Sequence, residues 1–181
     1  MKYIIASDIH GSAYYCRRLL EAFDREEGEK RLVLLGDTLY HGPRNNLPQE
    51  YAPKEVAAML NARRNEIYAV RGNCDAEIDQ MVLQFPITAD YMLIDSGDIH
   101  MFVTHGHLFG EDHLPPICDG DYFMQGHTHV VKGEWKDLPA EGDAPAGKYF
   151  FANPGSISIP KDGNRGYYVL DGSSLKWKEL I

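Results

Sequence analysis

The chain of 181 residues has little cysteine: Cys16, Cys74 and Cys118 are an odd set at irregular spacing, which argues against a disulfide framework and predicts a reducing compartment. It has no surplus of basic charge. With 18 Lys+Arg against 27 Asp+Glu, the net charge of -9 opposes non-specific attraction to a polyanion such as duplex DNA, and no stable nucleic-acid partner is expected. Long apolar runs are missing too, since nothing approaches the roughly 20 residues of a membrane helix. Residues Met1–Asp8 carry one basic residue and a short apolar run before a carboxylate, unlike a signal peptide, so a soluble cytoplasmic protein is expected. There is no internal repeat and no low-complexity segment. At 44% hydrophobic, the length suits one core-bearing domain over residues 1–181.

What is present is a recurring local grammar: an apolar run stops, a glycine or proline turn follows, and polar groups sit in the turn. Tyr3–Ala6 reads as a buried strand ending at Ser7-Asp8, and Tyr15–Arg25 carries helical periodicity through Leu19, Leu20 and Phe23. Leu32–Leu35 is an apolar run too short for a helix and stops at Gly36-Asp37. A Pro- and Asn-containing loop over His41–Pro53 precedes a helical Val56–Asn61, and Ile67–Val70 is a strand ending at Gly72-Asn73. Tyr91–Ile94 begins an antiparallel pair turned by Asp95–Asp98. Ile99–Thr104 leads to His105, Tyr122–Met124 to His127, and Tyr149–Phe151 to Asn153-Pro154-Gly155-Ser156. Val131–Gly147 shows no clear period and reads as a polar connection, whereas Tyr167–Leu170 and Leu175–Leu180, split by Gly172-Ser173, read as strands. The expectation is an α/β protein with mixed sheets and a site beyond the carboxyl ends of its strands.

Five clusters occupy those ends: Asp8-Ile9-His10, Gly36-Asp37, Gly72-Asn73-Cys74-Asp75, Thr104-His105-Gly106-His107 and Gly126-His127-Thr128-His129. An isolated Asp-x-His is weak evidence in a chain with 8 His, but His10, His105, His107, His127 and His129 all fall in these clusters. His41, His100 and His113 are better read as ordinary surface or capped residues, with His41 the closest case because it sits beside Arg44 and Asn45. Carboxylate, carboxamide and imidazole are donors suited to borderline divalent cations, and a carboxylate can bridge two ions. With no cysteine cage, a structural zinc is not expected.

The order D-x-H, G-D, G-N-x-D, H-G-H and G-H-x-H resembles the calcineurin-like metallophosphoesterase superfamily across nearly the whole chain. More narrowly, His41–Asn45, Arg71–Asp75, Asp79–Met81, Phe85–Thr88, Thr104–Gly110 and Asn153–Ser156 resemble the bacterial YfcE-like phosphodiesterases. The resemblance implies a sandwich of two mixed β-sheets flanked by helices, α/β/β/α. It also implies a phosphodiesterase using hydroxide activated by two divalent ions, with Mn²⁺ the expected metal and Fe²⁺, Zn²⁺ or Ni²⁺ alternatives.

By the same resemblance Asp8, His10 and His129 hold the first ion, Asn73, His105 and His127 the second, and Asp37 bridges. Asp37, Asn73 and Cys74 then fall at the reacting centre. The family normally has histidine after the asparagine, where it helps protonate the leaving oxygen. With Cys74 there, three readings stay open: a modest acid, a passive small side chain that leaves room for a larger substituent, or a soft ligand. Asp75 is either an assistant or a turn-capping carboxylate.

Arg44 and Asn45, with His41 beside them, are candidates to grip the substrate, although their loop could instead close the rim or meet another subunit. Asn153–Ser156 is expected to orient ligand histidines rather than touch substrate. The expected partner is a small phosphodiester, and association into a homo-oligomer is left open. A phosphomonoesterase is the alternative enzyme. A scaffold like the small retromer subunit is the non-catalytic alternative, disfavoured because Asp37 and Asn73 are intact.

Overall fold

The computed structural model describes residues 1–140, 142 and 145–180. Two five-stranded sheets pack face to face. In chain order the elements are β1 (Lys2–Ala6), α1 (Ala13–Arg25), β2 (Lys30–Leu34), α2 (Pro53–Asn61), β3 (Ile67–Ala69), α3 (Glu77–Val82), β4 (Tyr91–Ser96), β5 (Ile99–Thr104), β6 (Tyr122–Met124), β7 (Lys132–Leu138), β8 (Gly147–Asn153), β9 (Gly166–Asp171) and β10 (Ser174–Glu179). The first sheet has the order β10-β9-β1-β2-β3 and the second β4-β5-β6-β8-β7.

The apolar runs without alternation are strands covered on both faces. In β1 and its neighbour β2, Ile4, Ala6, Leu32 and Leu34 face the helices, while Ile5, Val33 and Leu35 face the second sheet. Helix α1 starts at Ala13, two residues before its apolar periodicity, because Ser12 caps it: its hydroxyl accepts from the Tyr15 amide (3.3 Å) and donates to the Gln49 carbonyl (2.6 Å). Cys16, Leu19, Ala22 and Phe23 then fill the space over the first sheet beside Val56 and Leu60 of α2.

The outer face of the second sheet carries Phe102, Phe123, Tyr149 and Phe151 under Phe109, Leu114, Ile117 and Leu138. Phe109, Leu114 and Ile117 come from the non-helical segment between β5 and β6, and Leu138 from the end of β7.

Each sheet has a parallel triplet. Strands β1, β2 and β3 run parallel up to one edge of the first sheet, with β9 and β10 added on the other side of β1, and β5, β6 and β8 run parallel at the centre of the second sheet between β4 and β7. Their six carboxyl ends lead into the segments around Asp8, Asp37, Asn73, His105, His127 and Asn153. Backbone hydrogen bonds sew the ends together: Asp8 N to Gly36 O (3.2 Å), His10 N to Asp37 O (2.9 Å), Gly126 N to His105 O (2.8 Å) and Ile157 N to Ser7 O (3.0 Å). The last joins the loop after β8, in the second sheet, to the end of β1 in the first.

Two elements depart from the sequence reading. The supposed connection 131–147 contains β7, paired in register with β8 from Lys132↔Asn153 to Leu138↔Gly147; Glu141, Asp143 and Ala144 of that stretch lie outside the described residues. As a mostly exposed edge strand, β7 has no apolar face to read, and Trp135, packed on Tyr122 and Phe150, is its chief anchor. Helix α3 buries none of its residues and is held by Asp79, whose carboxylate accepts from the Ala76 amide (2.9 Å).

Because Ile5 is fully buried between the sheets three residues before Asp8, Ile5→Ala should cost about 2–5 kcal/mol of stability in a urea melt.

Candidate metal centre

At the joined strand ends, acceptor atoms converge. His10 Nδ1–H donates to Tyr40 O (2.7 Å), His105 Nδ1–H to Leu35 O (2.7 Å) and His129 Nδ1–H to Ile159 O (2.9 Å). Each bond fixes the tautomer and leaves Nε2 as a lone pair directed inward. His10 Nε2 and His129 Nε2 face each other at 3.2 Å, with Asp8 Oδ1 3.4 and 3.1 Å away. With the His10 and His129 protons on Nδ1, no hydrogen-bond donor among the described residues reaches this buried Asp8 oxygen. Beside it, His105 Nε2 lies 3.0 Å from Asn73 Oδ1 and 3.2 Å from His127 Nδ1. Asp37 sits between the two groups: its Oδ2 is 3.7 Å from His10 Nε2 and 3.5 Å from His105 Nε2.

Acceptors this close in a mostly buried site repel unless something positive lies among them. Separations near 3 Å match adjacent corners of a coordination shell with bonds of about 2.1 Å. The residues therefore fit divalent cations. The protonation equilibria carry the same message. Burial opposes charge on Asp8, yet His10 and His129, which donate to the carboxylate once they take up a proton on Nε2, and the field of His105 hold its carboxyl well below the usual range. Burial likewise disfavours imidazolium at His10, but the bond to Asp8 and the fields of Asp8 and Asp37 outweigh it and raise the pKa. A proton or a metal ion can answer the same demand. His127, further from the carboxylates, is shifted down by burial and by His105.

The backbone is bent to make this convergence. Asp8, His10, Asp37, His127 and His129 have φ of 59°, 49°, 53°, 65° and 60°, a left-handed region costly for side-chain-bearing residues. Strain concentrated at ligand positions is maintained by the surroundings. Asp75 accepts from the amides of Asp37 (2.8 Å), Thr38 (2.9 Å) and Gly72 (2.8 Å), tying the loop after β2 to the loop after β3. Ser156 and Ser158 both donate to the Asp8 carbonyl (2.9 and 3.1 Å). Asn153 donates to Gly126 O (2.7 Å) and Thr128 Oγ1 (3.0 Å), either side of His127. At Gly126 any Cβ would press on Ser7 and lie 2.8 Å from Asp8 Oδ2, so only glycine lets the two sheets' loops meet there.

A cleft of about 510 Å³ opens over the centre, lined by His10, Asp37, Asn73, His127 and His129 together with Arg44, Asn45, Cys74 and Lys161. Arg44 and Asn45 thus stand where the sequence puts substrate contacts. His41 does not line this cleft: its ring is held edge-on between Tyr40 and Tyr51, with centroids at 4.8 and 5.1 Å. Its role in the loop is through the backbone, where its carbonyl accepts from Asn45 Nδ2 (2.8 Å). Lys161 and Thr128 are lining residues the sequence did not single out. Lys161 comes from a polar loop with no motif and arrives because its amide donates to His129 O (2.9 Å).

Burial and the field of Asp37 push the Cys74 thiol up to about 12, so it stays protonated at neutral pH. Its Sγ accepts from Asn73 Nδ2 (3.3 Å), and its amide donates to Asp37 Oδ1 (2.8 Å). Sγ also lies within 4.8 Å of donor atoms of His10 and Asp37, within reach of a shared ion. All three cysteines are free.

A family model described as the calcineurin-like phosphoesterase superfamily domain matches residues 1–174. The chain is 47% identical over 176 residues to phosphodiesterase YfcE of Escherichia coli (strain K12), covering 97% of this chain and 90% of that protein. The solved structure of the phosphoesterase Yfce from E. coli aligns at TM-score 0.87 and 46% identity, covering 99% of this chain and 93% of that one. The structure of vacuolar protein sorting 29 from Cryptosporidium parvum aligns at TM-score 0.56 and 17% identity, covering 99% and 91%; a likeness at that level concerns the fold alone.

Imidazoles must be neutral to hold a cation. Bound metal should therefore be full at alkaline pH and fall as pH drops through about 6.5, and the raised pKa of His10 makes that site the first to yield. Metal content of the protein dialysed against limiting Mn²⁺ across pH 5 to 8 checks this.

Proposed function

The chain belongs to the calcineurin-like phosphoesterase superfamily, and from that premise we propose that it is a phosphodiesterase working with two divalent ions. Asp8, His10 and His129 hold one ion, Asn73, His105 and His127 the other, and Asp37 is shared. The observation that carries this reading is the double nest of inward-facing acceptors with Asp37 Oδ2 between His10 and His105. Mn²⁺ is the metal proposed, as a hard-to-borderline ion suited to mixed oxygen and nitrogen donors. Bound there, the ions supply an acidified water and charge withdrawal from the phosphoryl oxygens.

The chain's own groups do the rest. Arg44 and Lys161 line the cleft as cations and offset the charge of a phosphate, which the net charge of -9 would otherwise repel. The guanidinium can grip two phosphate oxygens at once. Asn45, tied to the His41 carbonyl, is held at the rim with its position fixed. Asn73 contributes an oxygen without adding negative charge beside the substrate.

Cys74 has a weakly acidic proton and no positive form, so it does little for a basic leaving alkoxide and is not needed by a departing phenolate. That favours activated esters and the passive reading of Cys74. The fold has no helix among the described residues long and apolar enough to cross a membrane, and free thiols suit the cytoplasm, where we place the protein. A scaffold reading has no support from the donor set, which is complete.

Chelation should abolish hydrolysis, and added Mn²⁺, Zn²⁺ or Ni²⁺ should restore it on methyl 4-nitrophenyl phosphate in preference to 4-nitrophenyl phosphate. Activity restored on the monoester alone would sink the phosphodiesterase reading in favour of a phosphomonoesterase. Cys74→Ala should keep full metal content and change turnover of the aryl diester by less than about tenfold, a smaller effect than loss of a true general acid. Assay with metal analysis on the same preparation separates acid from ligand.

A further inference from the structure

Next to the metal cleft lies a second depression of about 710 Å³, and Cys74 lines both. Its volume falls in the range of small-molecule sites, about 300–1,000 Å³. The chemistry changes at the shared thiol. On one side stand Arg44, Lys161 and the acceptor nest; on the other the walls are Tyr40 and Tyr51, Ala57 and Ala58 of α2, and Ile78 and Val82 of α3.

These apolar groups are unusually open for their type: Tyr40 is 41% exposed, Ile78 63% and Val82 50%. On the rim, Asp79 is engaged with the Ala76 amide and Asn61 with the Val82 carbonyl and the Gln84 amide, while Lys54 is an exposed cation at the edge. The floor offered to a ligand is apolar with an aromatic wall, stiffened by the edge-on series Tyr40, His41, Tyr51.

We propose that this groove is a subsite for one organic substituent of the substrate, so that the preferred substrate is a phosphate diester bearing a flat apolar group. This deepens, and rests on, the reading of the cleft as a phosphodiester site. A phosphate held between Arg44, Lys161 and the acceptor nest shares its cleft with Cys74, and a thiol there is a smaller barrier towards the groove than an imidazole would be. The adjacency of the two cavities at Cys74 selects the occupant: a group delivered covalently with the phosphate reaches the groove without separate recruitment. It also accounts for His41 and Tyr40, which hold the groove wall by their rings and the metal centre by the Tyr40 carbonyl on His10.

The test compares dimethyl phosphate with methyl 2-naphthyl phosphate, titrated by calorimetry into the Mn²⁺-loaded protein, with naphthol release followed in parallel. The naphthyl diester should bind at least about tenfold more tightly than the dimethyl one, as expected for an added apolar contact in a pocket. In the double variant Ala58→Gln with Val82→Gln, both solvent-facing positions, that preference should shrink to about threefold or less, while Val82→Leu should preserve it.

Equal binding of the two diesters to the unmodified protein overturns the proposal, as does a preference that survives the double variant. So does sedimentation showing that a second copy of the chain covers the groove and is released by the same variant. Tight, groove-dependent binding without naphthol release would uphold the subsite and overturn the phosphodiesterase reading, so the two fail separately.

Discussion

Mutual repulsion among converging acceptors is the constraint on which the rest of this structure depends. Asp8, His10, Asp37, Asn73, His105, His127 and His129 bring lone pairs to separations near 3 Å in a mostly buried site. In water such groups would move apart or take up protons. Here three imidazoles are pinned through Nδ1 to backbone carbonyls, Asp75 clamps two loops with three amide bonds, and paired serines hold the Asp8 carbonyl. The free energy for holding the nest comes from the packed sheets behind it, and cations are what relieve it.

The architecture suits that task because each sheet has a parallel triplet. Parallel strands deliver their carboxyl ends to one side, and two packed triplets deliver six to one rim. The left-handed backbone at Asp8, His10, Asp37, His127 and His129 is the local cost of turning these side chains back over the strand ends. Close approach of the loops requires glycine at Gly126 between Ser7 and Asp8, and at Gly72, whose missing Cβ gives room to the Asp37 carboxylate. Function follows from the contrast between rim and surface: a strongly acidic chain presents, at one place, arginine, lysine and a demand for metal ions.

Much of this was legible in residue order. The doubly covered strands β1 and β2 announce themselves as unbroken apolar runs, and the five donor clusters stand next to the punctuation that ends those strands. The antiparallel β4–β5 and β9–β10 pairs were readable from their turns. Strand β7 was not, because an exposed edge strand is held by pairing with β8 and by Trp135, and pairing leaves no periodic trace. Nor was the cover of the second sheet, since Phe109, Leu114 and Ile117 reach it from a segment without periodicity. His41 illustrates a subtler failure. Its position beside Arg44 and Asn45 suggested a substrate contact, but ring packing against Tyr40 and Tyr51 turned it out of the cleft.

By itself the sequence determined the donor types, their placement at strand ends and the apolar faces that order the sheets, because these depend on short-range pattern and residue chemistry. Tertiary structure alone decided which lone pairs face one another, that Lys161 joins the cleft, that Asp75 bridges two loops, and that an apolar groove meets the metal site at Cys74. Those outcomes depend on contacts between residues tens of positions apart. Such contacts are fixed when the two sheets pack, and no local spacing encodes them.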